Sequence, residues 1–224
     1  MSNFYQTLQT ETLEAREVFL NTPIIRDCFR GEITLDAYIE FLSQAYYHVK
    51  HTVPLMMTCG ARLNDKQEWI RAAIVEYIDE EYGHHEWVLN DIDACGGSKE
   101  SVRNGQPSEP IELMLAYLYD AIARHNPLAI FGMVHVLEGT SVALATQASQ
   151  QLSQTLRLPE SAFSYLASHG SLDQDHLKFF EQLMNKIENE HDQLAIIDSA
   201  KRVYKLYGDM FVLLPRANKN SQAA

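Results

Sequence analysis

The sequence predicts an all-α protein, a single-domain bundle of about seven helices. Three observations predict it. Apolar residues recur at helical three- and four-residue spacing along nearly all of the 224 positions. No stretch shows convincing strand-like alternation. The local stop and start signals are helix caps and helix breakers, with one Gly-, Pro- and Ser-rich loop, 98–110, between them.

A first helix covers about Phe4 to Leu20, and a short helical turn follows Thr22-Pro23 up to Gly31. Thr34 is an N-cap for a helix reaching about Leu63, with a kink expected at Pro54. Asp65 starts a third helix that ends before Gly96-Gly97. Pro110 to Arg124 reads as a fourth. Asn126-Pro127 opens a fifth, cap followed by first-turn proline, that extends to about Thr155. Pro159 opens a segment running to about Asn189, and a last helix runs from about His191 to Leu214. Residues 1–214 are expected to form one helical domain and 215–224 a loose polar tail.

Composition narrows the function. Apolar content of 46% and charged content of 21% are ordinary for a globular protein. A formal net charge of -12 opposes binding to a nucleic-acid backbone or an anionic membrane. The segment Met1 to Arg16 lacks the basic start and apolar run of a signal peptide. No apolar stretch is expected to approach the roughly 20 residues of a membrane span. Cys28, Cys59 and Cys95 are scattered and odd in number, which fits reduced thiols in a cytoplasm.

Three helices carry candidate chemistry. In the fifth, Glu138 is the only formally charged residue between Arg124 and Arg157, among Val134, Leu137, Val142 and Ala145. A carboxylate in a buried helix needs a cation, a metal or a proton, and a protonated or Arg-paired structural role remains open. Gly132, Gly139 and Ser141 would let backbone or a ligand approach this helix, and His135 lies one turn before Glu138. In the third helix Glu81 continues the apolar stripe of Ile70, Ile74 and Tyr77, with Glu80 on the flank. Glu81 and His84 form an ExxH pair, a spacing used in bundle-core metal sites, although His85 is adjacent and a solvated acidic run is the plain alternative. In the sixth segment His169, Asp173 and His176 form HxxxDxxH, which one helix face could aim at a single point. Together these are three carboxylates and three histidines, a donor set suited to iron, manganese or zinc and large enough for two ions.

This order and spacing resemble the heme-oxygenase-like diiron oxidases, also called iron-containing redox enzymes. They belong to the heme-oxygenase-like superfamily shared with TenA-type thiaminases and pyrroloquinoline-quinone synthase. The resemblance spans about residues 10 to 214 and includes the segment Tyr38 to Tyr47. It implies that Glu81, His84, Glu138, His169, Asp173 and His176 hold metal, with Glu138 and Asp173 in the catalytic centre. It further implies two Fe(II) per chain, with Mn possible and no heme, dioxygen as co-substrate, and a small organic substrate of the amine, amino acid or fatty acid class. A homodimer is expected at the same level. Tyr46, Tyr47, His51 and Tyr204 are candidate substrate contacts, with His48, Met56, Met57 and Tyr207 nearby in sequence; Lys50 and Arg202 could anchor a carboxylate. A metal-independent enzyme of the TenA or pyrroloquinoline-quinone synthase kind, or a non-catalytic binding protein, are the alternatives. Heme oxygenases take an axial histidine near the N-terminus, whereas the first histidine here is His48. TenA-type thiaminases carry a nucleophilic cysteine in the helix of Glu138, which has none here.

Overall fold

The computed structural model describes residues 3–216, except for the side chains of 169–175. Every regular element among the described residues is helical. The α-helices in chain order are α1 (Phe4–Leu20), α2 (Pro23–Phe29), α3 (Leu35–Val49), α4 (Thr52–Arg62), α5 (Glu68–Glu81), α6 (His84–Ala94), α7 (Lys99–Arg103), α8 (Glu109–Asp120), α9 (Ile130–Leu156), α10 (Ser164–Asn185) and α11 (Glu190–Leu213). The expected caps form. Thr34 accepts from the Ala37 amide at 3.2 Å, and Asn126 accepts from Leu128 at 2.9 Å with Pro127 following.

Among the described residues, eleven α-helices replace the expected seven or so because two long segments are broken and two short helices add to them. The first break, at Lys50-His51, lies just before the Pro54 turn. Proline has no amide hydrogen and its ring clashes with the carbonyl four residues earlier, here that of Lys50. The chain therefore restarts at Thr52 instead of kinking. The second break, at Tyr82-Gly83, divides the expected 65–95 helix. Gly83 has φ +93°, a conformation that costs glycine little and other residues more. The loop expected at 98–110 contains the five-residue α7, capped by Ser98. Residues 217–224, most of the expected tail, lie outside the described residues; Arg216 just before them bonds the buried Asp27 at 2.7 Å.

The core is built around α9, which packs on α10 along one side and α11 along another, while α1 lies across α10 and α11. A second group joins α3, α6 and α8, and α6 reaches α10. Gly132 sets the α9–α11 approach. A methyl group there would lie 2.5 Å from the Ala200 amide nitrogen and 2.6 Å from the Ile196 carbonyl oxygen. By length and composition the 127–156 segment could cross a membrane, contrary to the sequence expectation, with a mean hydropathy of 1.6 in its most apolar window. Half of that window is buried inside the fold, as suits a central core helix.

Candidate metal centre and adjoining cavities

Glu81 is the last residue of α5 and His84 the first of α6, so they do not share one helix as their spacing predicts. The Tyr82-Gly83 turn still brings them together, with Nδ1 of His84 3.1 Å from Oε2 of Glu81. His84 is buried and stacks on Trp87 at 4.1 Å between centroids, which restricts its ring. The adjacent His85 points elsewhere, toward Glu86 and the Tyr46 ring. Of the two, His84 is the one that meets Glu81.

Glu80 is exposed on the flank, as read from sequence, and from there its side chain reaches α10. Its Oε1 lies 3.3 Å from Nε2 of His176. The contact joins two elements far apart in the chain and so has no local signal in the sequence. Tyr77 of α5 is 1% exposed, and its hydroxyl has no hydrogen-bond partner among the described residues. Burial pushes its pKa far up, and the negative charges of Glu138, Glu80, Glu76 and Glu81 add to that. Glu138 of α9 and the acidic end of α5 thus act on one buried hydroxyl. His169 and Asp173 lie on α10, and their side chains are outside the described residues. Among the described residues no three His, Cys, Asp or Glu side chains are close enough together to hold an ion.

Asp91 explains how α10 is set against this pair of helices. It is fully buried on α6, accepts a hydrogen bond from the Ser164 hydroxyl and, at 2.9 Å, from the Tyr165 amide. Burial raises its pKa, which these hydrogen bonds partly offset. A buried carboxylate at the start of another helix meets that helix's free amides and its dipole. The one local signal for it is an acid beside Ile92 and three residues after Val88, on the buried face of α6.

Two cavities adjoin α9 near Glu138. One, of about 290 Å³, lies between α1, α9, α10 and α11, and Tyr5, Gln9, Thr12, Arg16, His135, Glu138 and Tyr204 supply its polar lining. His135, one turn before Glu138, bonds α1. Its Nε2 lies 3.1 Å from Thr12 Oγ1. That hydroxyl donates to the Leu8 carbonyl at 2.7 Å, so Nε2 takes the donor role. Burial, with the charge of Arg16, pulls the His135 pKa down to about 4, and the ring is neutral near pH 7. The second cavity, about 110 Å³, is almost wholly apolar and begins at Thr140 and Ser141.

The other sequence candidates fall into separate groups. Tyr204 lines the larger cavity. Tyr46 and Tyr47 are buried against each other, with Lys50 over both rings. His51 bonds the Tyr119 hydroxyl at 2.9 Å. His48 packs edge-on to Tyr207. Met56 is fully buried core and Met57 is exposed. Arg202 sits over the Tyr117 ring. Neither proposed carboxylate anchor, Lys50 or Arg202, lines the cavity beside Glu138; Arg16, absent from the sequence reading, does.

The helical core and these histidine–carboxylate pairs define a protein of the heme-oxygenase-like fold with a candidate metal centre in its core. A family profile described as iron-containing redox enzyme matches residues 39–208, and the chain belongs to that family. Its fold is similar to a Shewanella denitrificans OS217 domain of unknown function with a heme oxygenase-like fold (TM-score 0.81, 20% identity, covering 94% of this chain and 91% of that one). It is similar to a TenA homolog from Pseudomonas syringae pv. tomato DC3000 (0.76, 12%, 95% and 91%). It is also similar to heme oxygenase-1 from the cyanobacterium Synechocystis sp. PCC6803, solved with heme (0.74, 12%, 94% and 91%). A comparison with curated proteins finds no match.

Proposed function

We propose that the protein is a nonheme diiron, dioxygen-dependent oxidase or oxygenase acting on a small organic substrate. The observation that carries this reading is the pairing of Glu81 with His84 and of Glu80 with His176, with Glu138 acting on the same buried Tyr77 hydroxyl. Carboxylate oxygens and imidazole nitrogens are the donors that suit iron or manganese, and paired carboxylates can offset the charge of two cations. Glu81, His84, Glu138 and His176, joined by His169 and Asp173 from the same helix as His176, are the residues that would hold the metals. Bound iron would supply the redox capacity that amino-acid side chains lack.

The chain's own residues then have distinct tasks. Trp87 restrains the His84 ring, and Asp91 fixes the start of α10 relative to α6. Tyr77 and Phe179 pack edge to face with ring centroids 5.5 Å apart, which ties α5 to α10. The cavity beside Glu138 offers a small substrate direct access to the carboxylate's surroundings.

Two observations favour this over heme or thiol chemistry of the same fold. The N-terminal helix α1 carries no histidine, and the first in the chain, His48, is buried against Tyr207. Burial raises Cys28, Cys59 and Cys95 to about 11, 12 and 11, so none is poised as a thiolate nucleophile. All three are free, consistent with a cytoplasmic protein. The test is dioxygen consumption by Fe(II)-loaded protein with candidate substrates. Substrate-dependent uptake that is lost in Glu138→Ala supports the oxidase; turnover of a thiamine fragment without metal would replace it with the TenA-like hydrolase.

A further inference from the structure

We propose that the 290 Å³ cavity between α1 and the Glu138 face of α9 binds a small monocarboxylate, anchored by the Arg16 guanidinium with its apolar body directed toward Glu138. The assignment of this ligand as the substrate rests on the oxidase reading; the binding site itself does not.

Arg16 lines the cavity and makes no ion pair among the described residues. Its charge is felt by Tyr5, His135 and Tyr204, three polar rings of the same cavity. Arg16 is an exposed residue whose side chain also lines the cavity, so its charge is available to a ligand at the cavity's edge. Nearby Glu11, on the same helix, is committed to Lys201 at 3.2 Å. Among the described residues, the only formal charge lining the cavity apart from Arg16 is Glu138. An anion is consequently attracted to the Arg16 side and repelled from the Glu138 side, which fixes its orientation. A guanidinium is suited to this task because its fork matches a carboxylate with two parallel hydrogen bonds.

The rest of the lining sets the body of the ligand. Val134, Val142, Leu177 and Phe180 are apolar, so the part beyond the carboxylate is hydrocarbon. The volume equals about ten liquid-water volumes, enough for on the order of ten non-hydrogen atoms. Arg16 and the whole α1 wall precede the 39–208 segment matched by the family profile, so this feature is not part of that match.

The experiment is isothermal titration calorimetry of the full-length, metal-free protein with hexanoate, hexanamide and hexylamine. Hexanoate is expected to bind and the other two to bind at least tenfold more weakly. Arg16→Gln, a surface change on α1, should weaken hexanoate roughly tenfold or more, and Arg16→Lys by less. Gly139→Leu should also abolish binding, because its side chain grows into the cavity, where a Cβ meets nothing within 4 Å. Circular dichroism and thermal unfolding of each variant confirm that it is folded. Hexanoate affinity unchanged in folded Arg16→Gln, binding retained in folded Gly139→Leu, tighter binding of hexylamine, or no hexanoate binding would each overturn the proposal. Hexanoate binding without any metal-dependent dioxygen consumption would leave the site intact and remove the oxidase reading.

Discussion

Replacing Gly132 by alanine tests how α9, the helix bearing Glu138, is seated in the core. The added Cβ would lie 2.5 Å from Ala200 N, 2.6 Å from Ile196 O and 2.6 Å from Ser199 Cβ. Ordinary contacts of such an atom begin near 3.4 Å, so α9 and α11 must separate by about 1 Å, and two of the three obstacles are backbone. Overpacking of this kind costs about 3 kcal/mol or more, and alanine's higher helix propensity returns about 1. The expected net loss is about 2 kcal/mol or more. Gly139, two turns along the same helix, is the internal control. A Cβ there meets nothing within 4 Å, so Gly139→Ala should stabilise by about 0.5–1 kcal/mol. Equilibrium urea unfolding of the two variants and the parent reads both effects, with unchanged slopes showing that only stability moved. A Gly132→Ala protein as stable as the parent would refute the close α9–α11 approach.

Further predictions address the polar groups. Burial would raise the Asp27 carboxyl, but hydrogen bonds from Arg216 and Arg30 outweigh it and hold its pKa below the ordinary 3.8. A depressed folded pKa contributes stability above 3.8 that is lost as pH falls below it. Asp27→Asn should therefore cost about 2 kcal/mol at pH 7 and flatten the acid limb of a stability–pH curve; an unchanged acid limb would contradict it. His135, depressed from 6.5 to about 4, contributes stability above 6.5 that is lost as pH falls toward 4. Its NMR titration should have a midpoint near 4, and a midpoint of 6.5 or higher would show that the ring is not enclosed. Asp91→Ala leaves the Ser164 hydroxyl and the Tyr165 amide without their acceptor. It should cost about 2–4 kcal/mol and speed hydrogen exchange at the start of α10, whereas unaltered exchange there would remove Asp91 as the tie between α6 and α10.

The outline of this fold was readable because α9 is one long apolar helix with Asn126 and Pro127 at its start, and because Thr34 is a well-placed cap. The breaks were harder. Pro54 announced a disturbance in the second long segment, but whether a proline kinks or ends a helix depends on what packs around it. Gly83 gave little warning, since one glycine in a helical pattern is tolerated at modest cost. Periodicity assigned Glu80 to the flank, where it stands exposed, but its contact with His176 joins distant segments and has no local signal. Glu138 stood out because a lone acid in an apolar helix is costly, and Gly132 because a small residue in such a helix permits close approach. Arg16 could not be recognised, because its significance depends on α1 lying across α10 and α11, a long-range arrangement that no local pattern encodes.

The most direct test of the account is metal content after anaerobic Fe(II) loading and removal of loosely held ions, measured for the parent, Glu138→Ala and His176→Ala. The account predicts about two irons per parent chain and loss of iron in both variants, with each variant remaining folded. Parent protein that retains no iron, or folded variants that load as fully as the parent, would contradict it.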